Sequence, residues 1–324
     1  MRGRGGAPYL SPRQRRRHKL RNVLHSALLL LGMAAILTVC VVAIWGPEGI
    51  VGALLAAVLS MMLAPAVSPE WVMRLYGAQR LRAHDFPDGI RLVEELAQRA
   101  GLAAVPGLYW LPSPLMNAFA VGRPDHAAIA VTDGLLRRLT ARELAGVLAH
   151  EISHVRNNDL WIMGLADLLS RLTSLMSWLG QLLLIVNLPL LLTGRVVVPW
   201  PAVLVLIFAP TVMALLQLAL SRAREYDADL DAASLTGDPR GLAAALAKLE
   251  RQQGRYWEEI FLPGRRMPDP SLLRTHPPTE ERIRRLLDLY EHEPLPAAAT
   301  VARLPDWVQP VARRPRWHGP GLWY

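Results

Sequence analysis

The chain has 324 residues, 52% of them hydrophobic and 19% charged, with a net charge of +9 and one cysteine. Its mean hydropathy of +0.21 is too high for an ordinary soluble enzyme. The single cysteine, Cys40, excludes an intrachain disulfide framework and a zinc–thiolate centre.

The first 21 residues carry Arg2, Arg4, Arg13, Arg15, Arg16, Arg17, Lys19 and Arg21 and no acid. Directly before an apolar run, this arm of residues 1–25 reads as a cytoplasmic anchor under the positive-inside rule. A nucleic-acid arm is the competing reading; membrane topology already accounts for the charge, so no nucleic-acid partner is expected. Four uncharged runs follow: Ser26 to Trp45, Gly49 to Val67, Leu172 to Leu192 and Trp200 to Leu220. Each is long enough to cross a hydrocarbon core of about 30 Å as a helix. The first outruns a signal peptide's apolar region of about 7–15 residues, and no small-residue cleavage site follows Trp45, so it reads as retained. Asn187 and Pro189 interrupt the third, and Asp167 and Arg171 just before it are spaced to pair. The runs form two hairpins, residues 26–67 and 172–220, turning at Gly46-Pro47-Glu48 and between Gly194 and Pro199. With the arginine arm inside, both termini, residues 68–171 and residues 221–290 are expected to be cytoplasmic, with the lipid bilayer as the first partner.

The polar segments read as α+β. Asp88 to Arg99 is a predicted helix, with Asp88 at the N-cap and Gly101 at its end. Gly107 to Leu111 is a strand, and Met116 to Val121 and Ala127 to Thr132 are two more around a turn at Gly122 to Asp125. Thr140-Ala141-Arg142-Glu143 has the form of a capping box, followed by Leu144, Val147, Leu148 and Ile152 at helical spacing. Pro239 to Gln253 is a helix with Pro at its first position, residues 254–274 a loop, and Pro278 to Tyr290 a helix. The tail from Glu291, rich in Pro, Ala and Arg, is expected to be disordered.

The middle of the capped helix reads His150-Glu151-Ile152-Ser153-His154. Positions i and i+4 share a helix face, so two imidazoles reach one metal ion, with Glu151 on the adjacent edge. Catalytic zinc sites take three protein ligands and leave a fourth position for water. The leading candidate for the third ligand is Glu225, in Glu225-Tyr226-Asp227-Ala228-Asp229. His150 and His154 precede the second hairpin and Glu225 follows it, so an even number of crossings leaves all three on one side.

Five ordered segments resemble the HtpX-type membrane zinc metallopeptidases, relatives of the eukaryotic CAAX prenyl endopeptidase. They are Asn117-Ala118-Phe119-Ala120, His150 to Asn157, Ser221 to Asp229, Leu235-Thr236-Gly237-Asp238-Pro239, and Thr275-His276-Pro277-Pro278 with Arg282-Ile283. The resemblance covers about residues 25–290; the tail does not match. It implies a zincin-like fold of the gluzincin type, combined here with four transmembrane helices. It also implies one zinc ion on His150, His154 and Glu225, with Glu151 as acid–base group and Asp229 orienting a zinc histidine, His150. His276 resembles the family histidine placed to stabilise the oxyanion. Asn117 to Gly122 reads as an edge strand for an extended substrate, with the Asn117 amide holding its backbone and Phe119 in the core. The expected activity is endopeptidase action on protein or peptide substrates, damaged or misassembled membrane proteins, at the cell membrane. A peptidase-like sensor or scaffold without general turnover stays open, as does a processing peptidase for lipidated peptides.

Overall fold

The structure, a computed structural model, describes residues 12–55, 68–192, 200–261, 279–288, 317–318 and 322–323. The described residues of Val67–Leu160 and Arg224–Tyr324 form one compact unit, and those of Lys19–Ala66 and Trp161–Ala223 another.

The first unit holds a four-stranded sheet. Its strands are β1 (Gln79–Arg80), β2 (Gly107–Leu111), β3 (Ala118–Arg123) and β4 (His126–Thr132), in the order β1-β2-β4-β3. Strands β2 and β4 are parallel, while β3 runs antiparallel to β4 and forms an edge. Register explains why β3 starts later and runs further than expected. The Asn117 amide donates to Thr132 Oγ1 at 2.9 Å, and the ladder then pairs Ala118 with Val131 through to Arg123 with His126. Gly122, at φ +104°, stays inside the ladder, and only Pro124 and Asp125 turn. A side chain at Gly122 would also strike the His126 carbonyl, so glycine is required there twice over.

Nine helices are labelled among the described residues. They are α1 (Pro12–Trp45), α2 (Pro69–Leu75), α3 (Pro87–Ala100), α4 (Asp133–Arg138), α5 (Ala141–Arg156), α6 (Asp159–Leu192), α7 (Trp200–Thr236), α8 (Pro239–Phe261) and α9 (Thr279–Asp288), of which α1 lies mainly in the second unit. Short α2 and α4 have too few residues to display a period, and the sequence pattern did not separate them from loops. The N-cap of α3 is Phe86 rather than Asp88, because Pro87 takes the first helical position, where its fixed φ suits it. Gly101 ends α3 in the left-handed conformation, as expected. Residues 254–261, read as loop, continue α8: one Gly254 costs a helix only about 1 kcal/mol. Of the tail, Trp317–His318 and Leu322–Trp323 are described, as two antiparallel strands, β5 and β6.

The apolar stripe of α5 lies in the main core. Leu144, Val147, Leu148 and Ile152 are buried together with Ile129 and Val131 of β4, Leu135 and Leu136 of α4, and Leu242 of α8. A Cβ on Gly146 would lie 2.8 Å from the Leu242 backbone, so α5 and α8 touch almost backbone to backbone. This close contact fixes the face that carries the histidines.

In the second unit, three helices among the described residues are long and apolar enough to cross a membrane: Val23–Trp45, Asp159–Val186 and Trp200–Thr236. The expected second span begins as helix over residues 49–55, and its residues 56–67 lie outside the described residues. Helix α6 starts at Asp159 and continues through Pro189. Asp167 and Arg171 pair at 2.7 Å, as their spacing suggested. Met33, Ala166 and Met213 pack inside the unit, while Leu28, Leu31, Trp178, Ile185 and Phe208 point outwards and are more than half exposed. A bundle apolar on its outer face is built for hydrocarbon as its solvent.

Candidate metal centre

The helix bearing the motif is anchored at its start. Thr140 Oγ1 accepts from the Glu143 amide at 3.3 Å and Glu143 returns the bond to the Thr140 amide at 2.7 Å, completing the capping box. Lys248 of α8 holds the same carboxylate at 2.7 Å. Two turns further on, the helix presents His150 and His154.

The two imidazoles stand edge to face, with centroids 4.6 Å apart and an interplanar angle of 88°. Their Nε2 atoms are 3.1 Å apart. From α7, Glu225 brings Oε2 to 3.5 Å from His150 Nε2 and Oε1 to 3.8 Å from His154 Nε2. Ligands bonded at about 2.0–2.2 Å in a tetrahedral site lie roughly 3.3–3.5 Å from one another. The two-nitrogen, one-carboxylate donor set therefore fits a zinc-sized ion in chemistry and in spacing. Among the described residues this is the one group of three such side chains with donor atoms within 4.8 Å of one another.

Each histidine is backed by a buried carboxylate. Asp229 Oδ1 lies 3.1 Å from His150 Nδ1, a charge contact rather than a well-aligned hydrogen bond. Asp159 Oδ2 lies 2.8 Å from His154 Nδ1. Each carboxylate is in turn held by a buried arginine. Arg282 of α9 grips Asp229 with Nε at 2.7 Å and Nη2 at 2.6 Å, and its Nη1 reaches Glu225 Oε2 at 2.9 Å. Arg224 holds Asp159 through Nε at 2.6 Å and through Nη2.

Charge shapes the site. Burial pushes the His150 imidazole down, but attraction to the Asp229 and Glu225 carboxylates outweighs it and raises His150 to about 10. The carboxylates that attract a proton there attract a cation equally. Burial pushes Glu151 above the usual carboxylate range, and the positive potential of the two histidines only partly offsets it. The backbone of Ala120, on edge strand β3, also contacts Glu151.

The structure thus brings together His150, Glu151, His154, Glu225 and Asp229. Asn117 is exposed, just ahead of β3, and its backbone bonds are with Thr132. His276 lies outside the described residues. The sequence gives no role to Asp159, nor to Arg224 and Arg282, which stand within the segments that carry the family resemblance. Their signal is pairing across long separations, 65 residues for Asp159 with Arg224 and 53 for Asp229 with Arg282.

Residues 83–290 match the family model described as Peptidase family M48. A protein named Protease HtpX homolog from Burkholderia ambifaria is 36% identical over 286 residues, covering 83% of this chain and 97% of that protein. A protein of the same name from Acaryochloris marina is 40% identical over 285 residues, covering 83% and 94%. Among solved structures, S. mikatae Ste24p aligns with a TM-score of 0.51 at 20% identity, covering 83% of this chain and 66% of that one. At that identity the likeness speaks for the fold alone.

Proposed function

Because this chain belongs to peptidase family M48 and is a membrane metallopeptidase of the HtpX type, we propose that His150, His154 and Glu225 hold one catalytic zinc ion and that Glu151 moves the protons. The observation that carries this reading is the convergence of His150 Nε2, His154 Nε2 and Glu225 at 3.1–3.8 Å. When bound, zinc supplies a Lewis acid that makes water acidic near neutral pH and polarises a carbonyl.

The remaining work falls to the chain's own side chains. Glu151 is outside the donor set and takes the proton of the attacking water on its carboxylate. It then delivers that proton to the leaving nitrogen, so one group serves both transfers. Asp229 holds His150 through Nδ1, leaving Nε2 for the metal. The free edge of β3 aligns an extended peptide as an added strand, and Asn117 contributes its amide to that backbone. His276 shares the negative charge that develops on the carbonyl oxygen, a role supported by its place in the family motif.

The fuller topology belongs to the same proposal. The chain spans the cell membrane four times in two hairpins, residues 26–67 and 172–220. Both termini and the peptidase segments, 68–171 and 221–290, are cytoplasmic. Residues 291–324 form a separate tail. The arginine arm supports this orientation. The substrates are damaged or misassembled membrane proteins, a role supported by the membrane architecture and by the kinship with HtpX homologues.

The test is cleavage of casein or a model membrane protein by the purified chain, with and without zinc, beside Glu151→Gln. Zinc-dependent cleavage that Glu151→Gln abolishes is expected. Equal cleavage by that variant would overturn the reading.

A further inference from the structure

Outside the proposed ligands, the most deeply buried charged pair beside the centre is Asp159 with Arg224, 2% and 5% exposed. The pair stands directly behind His154. Asp159 Oδ2 is 2.8 Å from His154 Nδ1, and Asp159 Oδ1 takes the Arg224 guanidinium at 2.6 Å. Arg224 also extends to Asp227 at 3.4 Å. A buried ion pair seldom adds net stability over an apolar pair of the same shape. Its position therefore asks for another explanation.

We propose that the Asp159–Arg224 pair positions His154 and spaces it from Glu225, so that two of the three ligands meet in the geometry the metal needs. The inference rests on the reading of His154 and Glu225 as metal ligands. Three features carry it.

The first is the hydrogen bond itself. Donation from His154 Nδ1 to Asp159 fixes the tautomer and leaves the Nε2 lone pair facing His150 and Glu225. The second is the backbone. Helix α5 ends at Arg156, Asn157 caps it, and Asn158 takes φ +55°, the one non-glycine residue with positive φ among the described residues. Asparagine tolerates this left-handed step better than most residues. Just after this step, Asp159, the first residue of α6, meets His154 through its carboxylate. The third is adjacency: Arg224 directly precedes Glu225 on α7. The run His154, Asp159, Arg224, Glu225 thus joins α5 to α7 through two side-chain links that end on both proposed ligands. On the other histidine, Asp229 and Arg282 repeat the arrangement of imidazole, carboxylate and guanidinium.

A second buried pair provides the control. Arg156 of α5 binds Asp231 of α7, which also accepts from the Asn157 side chain at 3.0 Å, so this pair ties the same two helices through other partners. A purely structural role would make the two pairs equivalent, whereas a positioning role would not.

The experiment uses the full chain purified in detergent, with zinc affinity from chelator competition and the d–d absorption bands of the cobalt(II)-substituted protein. Asp159→Ala alone strands a buried guanidinium and risks unfolding. The working variant is therefore Asp159→Asn with Arg224→Gln, which removes both charges together. Asp159→Glu accompanies it, keeping the charge on a longer arm. Both should lose about 10–100-fold in zinc affinity, the usual cost of removing such a partner, and both should shift the cobalt bands. Arg156→Gln with Asp231→Asn should keep the wild-type affinity and bands. Equal losses in the two paired variants, or unchanged affinity in both Asp159 variants, would overturn the inference. Wild-type zinc affinity in His154→Ala would instead strike the underlying ligand assignment, and this inference with it.

Discussion

His150 and Glu151 are consecutive residues with different surroundings. His150 turns Nε2 towards Glu225 and His154, whereas Glu151 is outside the donor set and touches the edge strand. Glu151→Gln is therefore expected to keep a full equivalent of zinc while losing about 10²–10⁴-fold or more in turnover. Metal analysis beside a cleavage assay checks both halves. Arg282 has a different kind of importance. It is buried, and it is gripped by Asp229 through two hydrogen bonds while also reaching Glu225. Arg282→Ala leaves a buried carboxylate without its partner, and such losses typically cost about 3–5 kcal/mol. A marked fall in unfolding temperature of the metal-free protein, alongside weakened zinc binding, is the expected result. At this scale the sequence was legible where chemistry is local. The i, i+4 pair in His150 to His154 needs only the geometry of one helix, and crossing parity together with the family pattern pointed to Glu225. Asp159, Arg224 and Arg282 escaped because a buried charge and its partner 53 or 65 residues away leave no periodic trace in one sequence.

Among elements, α5 links the core to the centre. Its capping box could be read from four residues because Thr140 and Glu143 satisfy each other's backbone donors locally. The later start of β3 could not, because it depends on where Asn117 meets Thr132 across the hairpin. The continuation of α8 past Gly254 is not legible in the pattern, although one glycine is only a small local cost to a helix. Two substitutions separate the helix's roles. Thr140→Ala removes a cap worth about 1 kcal/mol, and it should lower the unfolding temperature slightly while leaving zinc affinity unchanged. Gly146→Val forces α5 away from Leu242, where an added Cβ has no room. Overpacking of this kind costs about 1–3 kcal/mol. Because the displaced helix carries both histidines, zinc affinity should fall as well. Thermal unfolding and chelator competition on the two variants distinguish a loss of stability alone from a displaced site.

For the whole molecule, the sequence order of elements and the proposed site make one demand. Helix α6 and the apolar stretch of α7 that precedes Glu225 lie between His154 and Glu225 in the chain, and both helices are long and apolar enough to cross a membrane. Two crossings return the chain to the side it left, consistent with the meeting of these residues. The proposed orientation places the exposed turn at Asp125 in the cytoplasm. A cysteine introduced there on a Cys40→Ser background should react with a membrane-impermeant reagent only after the cells are opened. Labelling in intact cells would reverse the orientation. The hydropathy pattern made the apolar helices legible because a membrane span is a local property of about 20 residues. The central claim is that three side chains from two distant helices hold one metal ion, and metal analysis of the purified chain tests it most directly. About one zinc per chain is expected in the wild type, with almost none in a His150→Ala, His154→Ala double variant and a strong loss in Glu225→Ala. A double variant that retains a full equivalent of zinc would contradict the account.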